Sequence, residues 1–228
     1  MADGLSGLYI LDVTDPYHLE LLGRHDTHDY AIDVWAGHWG EFDNLAFVAA
    51  NLNGLQIVDV QNPSLPSLIG SYSIPGEATG IHVSYPYVYV AAGTAGLQII
   101  DASDPYNPIL IGSFETDGYS YGLAGDDPYI YIADGNNGVV IIDAADPKDP
   151  HELANFNISL GSERDVAINN HYAYVAYDGL VVLDVSNPAH PTYTTSYRTP
   201  GVSKGVSVHE DYAFVADFSS LMILQVLP

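Results

Sequence analysis

A six-residue phrase, Gly-Leu/Val-x-Ile/Val-x-Asp, constrains the fold more than any other feature of this chain. It occupies residues 7–12, 54–59, 96–101, 138–143 and 179–184, and a worn copy stands at residues 221–225. Its marker residues Asp12, Asp59, Asp101, Asp143 and Asp184 are 47, 42, 42 and 41 residues apart. A period near forty residues is the signature of a repeat architecture, in which one supersecondary unit recurs and buries its faces on its neighbours.

Within a period the chain reads as four short strands. Residues 80–83, then 87–91, 96–101 and 109–114 are rich in β-branched and aromatic residues. Gly-containing turns separate them, and the segment Asp104-Pro105-Tyr106-Asn107-Pro108 breaks the ladder before the last strand. No segment carries a helical period. Four antiparallel strands at this spacing predict an all-β β-propeller of four-stranded blades, a single domain over residues 1–228. First strands are placed at 31–34, 80–83, 122–125, 165–168 and 205–208, which predicts five blades or a fragment of a longer propeller. The closed form takes its last outer strand from residues 19–23 and leaves residues 1–13 as a surplus strand at a truncated N-terminus.

The repeated Gly-Leu-x-Ile-x-Asp-Val-x-Asn/Asp-Pro-x-x-Pro, with its Leu/Ile-Gly and Tyr-x-Tyr-Val-Ala strands, resembles the LVIVD repeat. The resemblance spans essentially the whole chain. It implies a β-propeller of the kind found in secreted and surface-attached proteins of bacteria and archaea, with a binding or assembly role and no catalytic residues. Asn155 and Thr195 depart from the pattern where other repeats carry Gly70 and Gly112, and Leu19 replaces the second proline.

Charge narrows the partners. The 228 residues carry 29 acidic and 5 basic side chains, a formal charge of −24. Such a surface repels phosphate backbones, so nucleic acid is not an expected partner. The chain has no cysteine and no apolar run long enough to span a bilayer as a helix, so no membrane insertion is expected. The expected setting is extracellular or the cell surface, with protein or carbohydrate as partner and self-association as an option. Asn157 heads a formal glycosylation sequon.

Candidate chemistry sits where repeats differ. The marker aspartates, and Asp15, Asn62, Asp104, Asp146 and Asn187 before proline, recur in every unit and are expected to cap the following turn. Residues 134–138, Asp-Gly-Asn-Asn-Gly, carry part of a calcium-loop pattern but lack its later bidentate Glu; no cofactor is otherwise expected. The long first unit holds both tryptophans and several histidines, and His25, His28, Trp35, His38 and Trp39 form a candidate partner or ligand loop. Stacking the strand starts gives a second group, the column Tyr30, Tyr121, Arg164 and Lys204 with neighbouring Glu163, Asp33 and His82. In a propeller this column rims one mouth of the channel, and its cations on an acidic chain point to an anionic or polyhydroxyl ligand. The reading is a non-enzymatic secreted or surface binding module. Its alternatives are a filament or lattice subunit assembled by strand exchange, and a carbohydrate-active enzyme using Asp29, Asp33 or Glu163 at the mouth.

Overall fold

An apolar residue at nearly every position of a strand demands cover on both faces, and the third strand of each four-stranded sheet has it. The computed structural model describes residues 1–158 and 164–226, and its described residues form strands and no helix. The chain divides into two compact units, Met1–Ser113 and Phe114–Pro228.

In the first unit, β1 (Leu8–Asp12) and β2 (Glu20–His25) make a two-stranded ribbon. A four-stranded sheet follows from β3 (Asp33–Trp39), β4 (Phe42–Ala49), β5 (Leu55–Asp59) and β6 (Ser67–Tyr72), paired in chain order. The next sheet runs β7 (Gly80–Ser84), β8 (Tyr87–Ala91), β9 (Leu97–Asp101) and β10 (Ile109–Phe114). In the second unit, β11 (Gly122–Asp126), β12 (Tyr129–Ala133), β13 (Val139–Asp143) and β14 (His151–Phe156) form one sheet. Another is built from β15 (Asp165–Asn169), β16 (Tyr172–Tyr177), β17 (Gly179–Asp184) and β18 (Thr192–Tyr197). The last has three strands among the described residues, β19 (Ser203–His209), β20 (Tyr212–Asp217) and β21 (Leu221–Gln225). These five sheets are the blades of the five-bladed all-β propeller class that the repeat predicts.

Sheets stack face to face within each unit. Leu55 and Ile57 of β5 bury against Ile81, Val88, Val90 and Ile100, and in the second unit Val139 and Ile141 meet Val166, Val175 and Leu183 in the same way. Each such side chain contributes about 1.5–3 kcal/mol by leaving water. Exposure rises outward: β9 and β13 are almost wholly buried, whereas β18 is exposed along its length. The glycine opening each third strand has a structural cause. Gly54 holds φ at +70°, and a Cβ there would collide with the Tyr72 carbonyl oxygen.

The recurring aspartates cap turns, as expected. Asp12, Asp59, Asp101, Asp143 and Asp184 each accept a backbone N–H from two residues on, at 2.8–2.9 Å. Asp15, Asn62, Asp104, Asp146 and Asn187 do the same one turn later, at 2.9–3.3 Å.

Pairing corrects three finer expectations. Residues 19–23 do not supply an outer strand to the last blade; β2 pairs antiparallel with β1, Leu8 facing His25 and Asp12 facing Glu20. Residues 1–13 are thereby partnered, and Leu8 is buried against Ala31, Ala46, Val48 and Val58. The first strand of the first blade starts two residues later than the sequence suggests. Asp33 faces Ala49 as Gly80 faces Ala91 and Gly122 faces Ala133, so 31–34 is out of register with the other copies. Finally, the residue equivalent to Gly70 is Ala154, not Asn155, because Ile57 faces Gly70 and Ile141 faces Ala154. At Gly70 itself no side chain fits, since a Cβ would strike the Pro105 carbonyl of the next blade's turn.

Candidate binding surface

The predicted tryptophan–histidine loop is an extended hairpin. The extra residues lengthen β3 and β4, with a register shift between Gly37 and Trp39. Trp39 is 1% exposed, so it offers no platform to a ligand. Its ring meets Phe47 at 4.6 Å and Tyr85 at 5.1 Å between centroids, and its Nε1 donates to the Ala102 carbonyl at 2.6 Å. Trp39 therefore pins one blade to the next. Trp35 is half-buried beside Trp39 and Phe47.

The histidines of this stretch point to separate partners. His25 Nε2 lies 3.2 Å from Gln56 Oε1, while the exposed His28 and His38 sit by Asp26 and Asp43 at 3.4 and 2.7 Å. Among the described residues no group of three or more His, Asp or Glu side chains comes together to hold a metal ion.

The predicted column divides between the units. With the register corrected, the residue before the first strand is Ile32 rather than Tyr30; Thr79, Tyr121, Arg164 and Lys204 keep their places. Tyr30 is 47% exposed beside Asp29. His82 faces Tyr89 across the β7–β8 ladder, their rings 6.0 Å apart. Glu163 lies outside the described residues.

Asp33 is a clamp. One carboxylate oxygen accepts its own sheet's Val34 N–H at 2.8 Å, and the other accepts Ile81 N–H of the next sheet at 2.9 Å. Burial pushes this carboxyl above the usual aspartate range, and the two N–H bonds pull against that. Asp165 repeats the device in the second unit, on Val166 and Val206 N–H at 2.9 Å each. Asp29 is similarly engaged, by the backbone N–H of Tyr30 and Leu52 and the Asn51 amide.

Asp134, from the calcium-like segment, is fully buried and serves as a latch. Its Oδ1 accepts Thr116 and Ser120 hydroxyls at 2.6 and 2.9 Å; its Oδ2 accepts Gly118 N–H and the Asn137 amide, both at 2.9 Å. Both oxygens are thus committed to protein donors.

The remaining residues of the column gather in the second unit. The Arg164 guanidinium lies 4.5 Å over the Tyr121 ring, which itself packs 4.5 Å from Tyr119. Lys204 Nζ lies 4.5 Å over Phe218, a side chain 75% exposed. Burial, and then the charge of Arg164, hold the Lys204 ammonium below the usual lysine range. Among the described residues neither cation has a carboxylate within 4 Å, and Arg164 Nε is buried with no hydrogen-bond partner. Arg198 instead pairs with Asp178 at 3.6 Å on the surface. Tyr119 and Phe218 were not singled out from the sequence; Tyr119 stands just before the varying strand-start residues Ser120 and Tyr121, and Phe218 just after the end of β20.

The repeat model of LVIVD matches residues 1–27, 41–74, 75–116, 117–158, 160–199 and 200–226. The chain belongs to the LVIVD repeat family. Each LVIVD match after the first includes the third strand of one blade, and in the four-stranded blades that strand is the buried element on which the sheets stack. No curated protein matches the chain. Among solved structures, a functionally unknown protein from Desulfotomaculum acetoxidans DSM 771 aligns with a TM-score of 0.75 at 13% identity, over 90% of this chain and 68% of that one. A chain of a nidogen/laminin complex aligns with a TM-score of 0.72 at 11% identity, over 99% and 88%. The computationally designed Ika8 protein gives 0.65 at 11% identity, over 91% and 62%, so this LVIVD chain spans less than two thirds of that design. At these identities the likeness is one of fold.

Proposed function

We propose that this LVIVD chain is a non-enzymatic binding module displayed outside the cell, and that it engages carbohydrate or protein bearing acidic groups. The observation that carries this reading is the cation–aromatic cluster of Arg164, Lys204, Tyr121, Tyr119 and Phe218. Among the described residues neither cation has a carboxylate within 4 Å, so an incoming acidic group meets positive charge that no ion pair has already neutralised. Aromatic faces beside the cations supply apolar contact for a sugar ring or an apolar side chain. That the cluster sits on a chain of net charge −24 gives it local contrast, which favours a small acidic group over an extended polyanion.

The enzymatic alternative finds less support, because Asp29 and Asp33 spend their oxygens on backbone N–H groups. Isothermal titration with a uronate-containing oligosaccharide and its neutral counterpart, and with an acidic peptide, tests the proposal. The expected result is saturable binding of an acidic ligand that the Arg164→Ala/Lys204→Ala double variant loses. Equal binding by wild type and double variant, or none of any ligand, sinks it. Protease shaving of intact host cells tests the display: retention of the chain inside protected cells would overturn an external location.

A further inference from the structure

The extended β3–β4 hairpin leans at its end onto the neighbouring sheet of the same unit, through Trp39 on Tyr85 and Ala102. Trp39 and Phe42 face each other across the ladder, so their side chains leave the same side of the hairpin. Each meets a tyrosine from a turn of the next sheet. The Trp39 ring lies edge-to-face with Tyr85 at 5.1 Å, and the Phe42 ring edge-to-face with Tyr106 at 5.9 Å. Gly40 at the hairpin turn holds φ at +59°, and a Cβ there would stand 2.8 Å from the Tyr85 ring. Bare backbone is therefore what lets that ring settle on the turn. Packing fixes both tyrosines without covering them: Tyr85 is 58% exposed and Tyr106 56%. The turn itself does not need a ring at Tyr106, since Ser64, Lys148 and Ala189 hold the same place in other repeats.

We propose that this hairpin end, with Tyr85 and Tyr106, captures a lysine or arginine side chain on the surface of a partner protein. Charge selects that partner. Residues 25–113 contain nine Asp or Glu and no Lys or Arg. Three of these acids adjoin the aromatic residues in the chain: Glu41 and Asp43 flank Phe42, and Asp104 opens the turn that carries Tyr106. All three are exposed; Asp43 sits by His38 at 2.7 Å, and Asp104 accepts the Tyr106 N–H and the Asn107 amide. An ammonium or guanidinium over a tyrosine ring is drawn by the ring's negative face, and carboxylates nearby add to the pull. An anionic ligand meets repulsion instead. Aromatic side chains already held by their neighbours lose little freedom on binding, and tyrosine and arginine are the residues that dominate protein interfaces. The site lies wholly in the first unit and takes the opposite charge from the Arg164 and Lys204 surface, so the two readings stand apart.

The test is an NMR titration of the whole chain with the peptide Gly-Ser-Arg-Gly-Ser-Arg-Gly-Ser, and with the same peptide carrying citrulline, the neutral analogue, at both arginines. The arginine peptide alone should give saturable amide shifts, confined to residues 38–43, 84–87 and 103–107. Affinity should fall about threefold or more in Tyr106→Ala, which removes a ring, and in Glu41→Lys, which reverses a charge. Tyr106→Phe keeps the ring and should bind as wild type does. Thermal melting checks that each variant folds, and the exposed Glu41→Lys site carries the test if Tyr106→Ala disturbs its turn. Equal response to the citrulline peptide, shifts spread over the whole acidic surface, or no saturable shift overturns the proposal. So does binding indifferent to both variants. Saturable binding of cellobiose at these residues, with none of the arginine peptide, overturns it in favour of a sugar platform.

Discussion

The loop entering β7 and the loop entering β11 hold the same place in the repeat and are closed by opposite chemistry. Before β7, Ile74 and Ala78 pack with Ala92 in an apolar cluster. Before β11, the equivalent residues Thr116 and Ser120 hydrogen-bond to the buried Asp134. The loop entering β19 follows the polar version, with Gly201 N–H on Asp217 and Thr199 bonded to Ser203. The loops are equal in length, 74–80, 116–122 and 199–205; the residues change together. A carboxylate at the end of the second strand is tolerated in the interior only where the loop supplies its donors, and a loop hydroxyl only where an acceptor waits.

The largest effect is expected from removing the acceptor. Asp134→Ala orphans two hydroxyls, an N–H and an amide, and should cost about 3 kcal/mol or more in urea or thermal unfolding. Adding Thr116→Ile and Ser120→Ala to it recreates the apolar loop and should recover most of that loss. A triple variant no more stable than Asp134→Ala would break the comparison. The reverse trespass is smaller: Ile74→Thr places a hydroxyl against Ala92 with no carboxylate to receive it, at about 1–3 kcal/mol. Stability equal to wild type there would show that the apolar loop is not selective.

The clamps shared by both units sharpen the comparison further. Asp33→Asn and Asp165→Asn each set an amide NH₂ against a backbone N–H, a loss of about 1–2 kcal/mol measured by equilibrium unfolding. For Asp33 the sign with pH is definite. Its folded pKa is raised above 3.8, so its contribution is fully present below the unfolded pKa and is lost as pH rises through the folded one. The penalty of Asp33→Asn should therefore shrink on going from strongly acid to neutral pH. Turn aspartates should behave oppositely and most weakly. Backbone N–H bonds hold Asp12 and Asp184 below 3.8, so their contribution is present at neutral pH and is lost as pH falls through the depressed value. Asp12→Asn should cost most near neutrality and nothing in acid; the opposite trend in denaturation curves across pH would contradict the capping role.

Arg164, Lys204 and Tyr121 stood out in the sequence because they disagree where their surroundings agree, and the structure sets Arg164 over the Tyr121 ring and Lys204 over Phe218. Tyr30 and Asp33 were misplaced by two residues because the hairpin extension of the first blade masks its register. Trp39 looked like a surface ring because nothing local reveals its cover; Tyr85 and Ala102, which bury it, belong to the next repeat.

By itself the sequence determined the repeat, the strand order within a blade, the turn-capping aspartates and the propeller class. All of these are local or periodic, written in alternation, spacing and side chains that bond a backbone two residues away. Tertiary structure decided which strand β2 pairs with, that Asp33 and Asp165 tie neighbouring sheets, and that Asp134 is a latch. Those outcomes depend on groups some 14 to 48 residues apart in the chain being brought within hydrogen-bonding distance, and only packing of whole sheets does that.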